Sequence, residues 1–404
     1  MADENLPNND RLLTSIKLSF QGIPDHLLYQ VTPNEIILGE SLLTPGLQTS
    51  VQLYSYFQNL PIKNLDLFKN AQMNIELERP ILKDFGIQST MNISQVTYRL
   101  DRRKLYNNNV EDFVLHACDQ TLLNDAAVLV SKLWKCKTPS TVTQDVLSTC
   151  AGAKNLDIEE SQPARDYIAE NIHPFQVVAQ QAQAALAGGD DPSFLHYMTY
   201  DNFGTHHFRS LKYLTSQPPV MEFLFSEIPG AAGYANPYAI ITHSFPCDFD
   251  LLSDILNGVD SNGKDINTLM VFNPLLKMFN QFGSQVSGCG LGSGVVKLAL
   301  SNMASAKQQN ACPDYTHIYL QKRQARMALL EKDKIALRIT VPWNPILHAG
   351  KIIKLTLPNK NDPTLLNYGS GEYLIVSMVH NIKYGGYSTT TMDCVSKTVG
   401  QGIV

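Results

Sequence analysis

The sequence predicts a mainly β chain with a smaller share of helix (α+β), on three observations. Strand-length stretches with alternating apolar positions fill the first 118 residues. From Asp119 the apolar period lengthens from two to about 3.6. It returns to two towards the C-terminus, where Ile335, Leu337, Ile339 and Val341 alternate with polar partners.

Taken in chain order, Leu12 to Phe20, Tyr29 to Leu38, Thr49 to Phe57, Met73 to Leu77, Val96 to Leu105 and Glu111 to Cys118 are expected to be strands. Pro24, Pro33, Pro45, Pro61 and Pro80 fall between them or at their ends, where a missing N–H does least harm. An antiparallel barrel or sandwich fits this pattern. Leu122, Leu123, Ala126, Ala127, Val130 and Leu133 then form one helical face, predicting a helix from Asp119 to about Lys135. A second helix is expected after Thr138-Pro139, with Ser or Thr as N-cap and Gly152 near its end. A third is expected from about Arg165 through the Ala/Gln-rich stretch to Leu186, stopped by Gly188-Gly189-Asp190-Asp191-Pro192.

Phe194 to Thr215 carries a hairpin signal, with Asp201-Asn202-Phe203-Gly204-Thr205 as its turn. Residues 255 to 313 mix polar turns with a Gly-rich piece and are expected to be loops with short helices. Asp314 to Asp333 has helical spacing. Lys334 to Val341, Lys351 to Leu357, Glu372 to His380 and Tyr387 to Ser396 follow as four strands with short turns, expected to form a meander, half of a small barrel.

Composition narrows the function classes. The 404 residues suffice for two to four domains at roughly 100–200 residues each. Charged residues make up 17% of the chain, below a globular average of roughly 25%, whereas Asn and Gln number 29 and 23. With 32 Lys+Arg against 37 Asp+Glu and no basic block, direct nucleic-acid recognition is excluded as the main activity. No apolar run reaches the roughly 18 residues of a membrane span, and the acidic start Met1-Ala-Asp-Glu-Asn5 is unlike a secretory leader. A soluble chain folding in the cytoplasm is expected. The seven cysteines (Cys118, Cys136, Cys150, Cys247, Cys289, Cys312, Cys394) are widely spaced without a Cys-x-x-Cys pair, so free thiols are expected.

Gly258 to Lys264 has the Gly-x4-Gly-Lys spacing of a phosphate loop, but Asp265 stands where a hydroxyl should hold magnesium and would repel phosphate. As a calcium loop the same turn, with Asp260 and Asn262 as ligands, has Asp265 where glycine is needed. Gly288, Gly290, Gly292 and Gly294 lack the order of a dinucleotide turn. His206 and His207 are adjacent and must face opposite ways in a hairpin, although His196 and one of them can meet across strands. Glu222 and Glu227 have the look of a glycosidase pair, without support from their surroundings. No catalytic, cofactor or metal residues are assigned, and no enzyme activity is expected.

Four regions carry a family resemblance. Phe113-Val-Leu-His-Ala-Cys118 with the following helix and Thr143-Gln-Asp-Val-Leu-Ser-Thr149 form the first. Asn171-Ile-His-Pro-Phe-Gln-Val-Val-Ala-Gln-Gln-Ala182 with the hairpin ending in His207-Phe-Arg-Ser-Leu211 is the second. Ile255-Leu-Asn-Gly258 onward is the third. Leu347-His-Ala-Gly-Lys-Ile-Ile-Lys-Leu355, Ser370-Gly-Glu-Tyr-Leu-Ile-Val-Ser-Met-Val-His380 and Gly385-Gly-Tyr-Ser-Thr389 make up the fourth. In this order, over about residues 90 to 400, the chain resembles the central baseplate hub protein of contractile-tailed bacteriophages.

The resemblance implies two tube-type antiparallel β-barrels: 10–118, then a helical linking region 119–193, then 194–257 with 330–398, the second barrel split by an insertion at 258–329. It further implies a homotrimeric ring in the virion tail baseplate, assembled in the host cytoplasm, that adapts a six-fold tail tube to a three-fold cell-puncturing spike. Its expected partners are the spike protein, tail tube or tube-initiator proteins and other baseplate proteins, with no cofactor. Two rival expectations are a tail-associated peptidoglycan hydrolase, with Glu222 and Glu227 as acid and base, and a hub-like part of a related contractile injection machine. The end of the chain at Val404, soon after the second barrel, favours the free-standing hub over the last. The low charge then has a natural meaning, since interface cores are depleted in charge and much of this surface is expected to be covered in the working state.

Overall fold

The computed structural model describes residues 9–23, 31–56, 68–107, 110–188, 191–225, 231–247, 268–273, 278–282, 296–300, 323, 326–327, 330, 335–358, 366–367 and 369–397. A short helix α1 (Asn9–Leu12) precedes strands β1 (Ser15–Phe20), β2 (Val31–Ser41), β3 (Gln48–Tyr56), β4 (Gln72–Glu78), β5 (Thr90–Asn107) and β6 (Val110–Cys118). They lie in the order β1-β4-β5-β6-β3-β2, every pair antiparallel. Because side chains alternate across a strand, Ile36, Leu38, Val51, Leu53, Met73, Ile75, Leu77, Ile93, Phe113 and Leu115 all turn to one side and share a single core. The six strands therefore curl round that core, and among the described residues β1 and β2 do not pair to close a ring.

Next comes α2 (Gln120–Ala127), started by the Asp119 carboxylate accepting from Thr121 N at 2.8 Å, and then β7 (Val130–Lys137). The helix expected to run on to Lys135 thus ends at Ala127. In β7 only Val130 and Trp134 are buried, because Lys132 occupies the inward position between them and reaches out to Asp145. Two buried positions four apart imitate a helical face. Helix α3 (Pro139–Thr149) forms where expected, with Thr138 as its cap. Strands β8 (Leu156–Ile158) and β9 (Arg165–Ile172) follow, and α4 (Pro174–Ala184). The third expected helix therefore starts only at Pro174, whose fixed φ suits a first helical turn, and Arg165–Ile172 is instead the antiparallel partner of β7.

The expected hairpin is β10 (Phe194–Thr199) and β11 (Thr205–Ser210), which adds β8 as a parallel third strand and leads into α5 (Leu211–Ser216). Val130, Trp134, Val142, Val146, Val177, Val178, Phe194 and Phe208 unite ribbon, helices and hairpin in one core.

The remaining elements are β12 (Pro219–Leu224), α6 (Ala231–Ala235), β13 (Thr242–Ser244), β14 (Thr268–Asn273), β15 (Met278–Phe282), β16 (Val296–Leu300), β17 (Leu337–Pro342), β18 (Ile352–Thr356), β19 (Gly371–Lys383) and β20 (Thr389–Ser396). Strands β14, β15 and β16 make a separate three-stranded sheet where loops with short helices were expected. Their apolar and aromatic residues outweigh the polar turns that dominate the local composition. Of the helix expected over Asp314 to Asp333, only Arg323, Arg326, Met327 and Leu330 lie within the described residues.

The last four strands are present, and β18, β19 and β20 form the expected antiparallel meander, but β17 does not join it at β18. Strand β17 pairs with β20, and β18 lies between β19 and a parallel β12. Segment 343–351 does not turn back tightly; Trp343, Asn344, Leu347, His348 and Ala349 in it are all buried. Strand β19 is shared. Along one edge its residues Gly371–Leu374 pair with β18 and Ser377–Lys383 pair with β2, so two β units, β1–β6 and β12, β13 with β17–β20, fuse into one 12-stranded sheet.

Leu38 lies fully buried on β2, opposite His380 of β19 and Thr49 of β3. Leu38→Ala is expected to cost about 2–5 kcal/mol of folding stability, read as a lower urea midpoint with unchanged slope.

Candidate functional site

The inward positions of β2 run Ile36, Leu38, Glu40, so alternation places a carboxylate where an aliphatic side chain belongs. Glu40 is 3% exposed and stands opposite Met378 of β19 at the seam between the β units. Its Oε1 accepts from Tyr200 N at 2.8 Å and His348 Nδ1 at 2.9 Å, and its Oε2 accepts from Ala349 N at 2.8 Å. One side chain thereby ties β2 to the end of the β10 strand and to segment 343–351. Tyr200 extends the network, its hydroxyl donating to Gln48 O at 2.8 Å and lying 3.1 Å from Thr49 Oγ1.

A second buried charge secures the same segment. Arg79, 2% exposed after β4, donates to Trp343 O at 2.7 Å and also to Tyr234 O within α6. The Trp343 ring meets His380 edge-on at 6.5 Å, and His380 Nδ1 lies 2.8 Å from Thr390 Oγ1. Gly350 closes the segment with φ +84°, and a Cβ there would lie 2.6 Å from Tyr197 Oη, so only glycine fits.

Burial alone would raise the Glu40 pKa, but attraction to His348 and the hydrogen bonds outweigh it and hold the carboxyl below its usual value. His348 is the mirror case: burial opposes its charge, and Glu40 more than compensates, raising it. Burial lowers His380 to about 4 despite Glu40 nearby, and Arg79 to about 10. The seam thus holds a buried ion pair.

The three histidines singled out in the sequence are in the hairpin as expected. His206 and His207 face opposite ways. His196 Nε2 lies 3.1 Å from His206 Nδ1, whose Nε2 lies 3.0 Å from Thr121 Oγ1, while His207 lies 2.9 Å from both Asp157 Oδ2 and Thr199 Oγ1. Burial holds His206 at about 3 and His196 well below its ordinary value, so both are neutral, His206 packing between the hairpin and α2 and His196 against Phe175 of α4. Asp157 is held ionised by His207 and Arg209. Among the described residues no group of His, Cys, Asp and Glu is arranged to hold a metal ion.

Glu222 is on β12, paired at 2.9 Å with Lys354 and bonded to Thr356 at 2.7 Å. These contacts depress its pKa, whereas a glycosidase acid needs a raised one. Glu227, the Gly258–Asp265 turn, Gly288, Gly290, Gly292, Gly294, Cys289 and Cys312 lie outside the described residues. The other five cysteines are free thiols. Sequence reasoning missed Glu40, His348, Arg79 and Trp343. A signal existed for Glu40, the single charge at inward parity in an apolar strand.

No protein-family model matches the chain, and no curated protein matches it. Solved structures do. A tail protein of Neisseria meningitidis MC58 superposes with TM-score 0.59 at 10% identity, over 96% of this chain and 99% of its own. The 43 kDa tail protein of prophage MuSo2 from Shewanella oneidensis gives 0.57 at 11% identity, over 96% and 99%. The chain has a phage tail-protein fold. The Escherichia coli c3393 protein, a type VI secretion component with structural similarity to the T4 bacteriophage tail proteins gp27 and gp5, gives 0.50 at 10% identity, over 94% of this chain and 76% of its own. The superposition on the two tail proteins covers 96% of this chain.

Glu40→Ala leaves His348 and two backbone N–H groups unpaired and is expected to cost about 3–5 kcal/mol, with Glu40→Gln milder, both read from urea unfolding. Stability is also expected to fall as pH drops from about 7 to about 5. His196, His206 and His380 have depressed folded pKa values, so their contribution is complete above about pH 6.5 and is lost as pH falls towards those values. His348, raised, has the opposite sense, contributing fully below about pH 6.5 and fading as pH rises through its folded value. Glu40 contributes above its unfolded pKa and fades only in stronger acid. Three against one sets the net sign, and His206→Gln is expected to flatten the slope of midpoint against pH.

Proposed function

We propose that this chain is a structural tail protein, the central hub of a contractile-tail baseplate, working as a homotrimeric ring and not as an enzyme. The observation that carries the reading is the end-to-end likeness to two phage tail proteins, which spans 96% of the chain and 99% of each of theirs. Each β unit corresponds in this reading to one tube-type barrel. A six-fold tube meeting a three-fold spike needs an adaptor that offers six near-equivalent edges from three chains, and two β units per chain meet that need.

The seam supports this reading physically. Strand β2 adds to the edge of β19 by main-chain hydrogen bonds, a mode of joining that demands little of sequence. Among the described residues strands β1, β13 and β12 end the 12-stranded sheet and leave edges for further addition. The partners are then the spike, the tube or its initiator and other baseplate proteins, at the virion tail. The likeness to a type VI secretion component supports a second reading, a hub-like part of a related injection machine.

Purified chain is expected to scatter light with three times the 44.9 kDa mass of one copy and to co-purify with its spike protein. A monomer that ignores the spike would sink the hub reading. A blank peptidoglycan zymogram is expected, and a cleared band would favour a hydrolase.

A further inference from the structure

We infer that the cavity between the Asp201–Phe203 turn, the start of β5 and His348 is a binding site for one neutral sugar ring, a pyranose. The inference stands apart from the hub reading and uses neither the number of copies nor their contacts.

The cavity has a volume of about 130 Å³ and draws its walls from three separated parts of the chain. Gln88, Thr90 and Asn92 come from the start of β5, Asp201 and Phe203 from the hairpin turn, and His348 from the buried segment. The turn is held in a costly shape. Asn202 and Phe203 both have left-handed backbone, with φ +49° and +65°, a region that a bulky residue rarely adopts. Asn155 fixes this shape by donating to Asn202 O at 2.6 Å, and Thr205 Oγ1 donates to Asp201 O at 3.0 Å. The outcome is an aromatic ring at the cavity rim that stays 61% exposed. A side chain that gains so little burial from a strained backbone has another reason for its place.

The polar groups select the ligand. His348 is 6% exposed, its Nδ1 is engaged by Glu40, and its Nε2 has no partner among the described residues. Pairing with Glu40 favours the charged imidazole, in which Nε2 is a donor. The Asp201 carboxylate makes no ion pair or side-chain hydrogen bond among the described residues, and it lies close enough for its charge to act on His348. Gln88 spends its Nε2 on Thr90 O at 2.8 Å and keeps Oε1 as an acceptor, while the Asn92 amide supplies both a donor and an acceptor.

A free anion would meet Asp201, and a free cation would meet His348. An apolar ligand would strip water from these polar side chains without replacing its hydrogen bonds. An amino-acid zwitterion answers the two charges but leaves the aromatic rim unused. A neutral ring whose hydroxyls both donate and accept satisfies Asp201 and His348 together, and its C–H face can lie on Phe203. The volume is below the roughly 300–1,000 Å³ of sites for drug-sized molecules, so the ligand is a single ring.

Saturation-transfer NMR on the full-length chain, with glucose, galactose, mannose and N-acetylglucosamine supplied singly, is expected to show binding of at least one, with transfer concentrated on one face of the ring. Asp201→Ala and Asn92→Ala are each expected to weaken that sugar about tenfold, and Phe203→Ala to abolish the face selectivity, all with the wild-type far-UV spectrum. Phe85→Ala, which removes an exposed aromatic outside the cavity, is expected to leave binding as it was. Glycine and acetate are expected not to displace the sugar. Absence of transfer to every sugar, transfer that survives Asp201→Ala and Phe203→Ala combined, or displacement by glycine or acetate overturns the inference. Each of those results leaves the hub reading intact, and a monomeric chain that binds the sugar sinks the hub reading alone.

Discussion

Burying a carboxylate is costly unless its charge is balanced and its oxygens are filled, and in this protein that requirement falls on Glu40. The balance is supplied by His348, and the lone pairs are filled by His348 and by the backbone of Tyr200 and Ala349. These partners come from three separated parts of the chain. None of them can shift without uncovering the others, so the register of β2 on β19 and the path of segment 343–351 are set together. A hydrophobic residue at the same position would leave His348 and the backbone N–H groups of Tyr200 and Ala349 without their acceptor.

Arg79 reinforces this from the opposite side of the segment by holding the Trp343 carbonyl. The outcome is a connection between β17 and β18 that runs through the interior instead of over the surface. Such a route is rare because buried backbone must find partners. Here Ala349 N finds Glu40, Gly350 N finds Ile375 O, and Lys351 N finds His348 O.

The low charge of the chain also takes a spatial form. The outward positions of the large sheet are filled by amides and hydroxyls: Gln48, Ser50 and Gln52 on β3, Gln72 and Asn74 on β4, Asn92 and Ser94 on β5, and Thr389 and Thr391 on β20. Several bond to one another across strands, as Gln72 does to Ser94 and Ser94 to Asn74. Charges on this face occur mainly as pairs, such as Lys17 with Glu76 and Arg338 with Asp393. A wide sheet face of this composition is wetted without carrying a strong field of either sign.

Much of the secondary structure could be read from the residues, because period and punctuation report which face of an element is buried. The six N-terminal strands, helix α3 with its Thr138 cap, the β10–β11 hairpin, the opposite facing of His206 and His207, and the positions of β17 to β20 follow from that information alone. It misleads where a long polar side chain sits at an inward position, as Lys132 does in β7, since burial then skips a step and resembles a helix. What periodicity cannot report is the identity of a neighbour across the sheet. That β2 joins β19, that β17 joins β20, and that Glu40 meets His348 from almost the other end of the sequence were decided only by tertiary packing. Strand edges present the same N–H and C=O groups whatever their side chains, so the choice among partners falls to the core each strand must cover and to the one buried charge that must be satisfied.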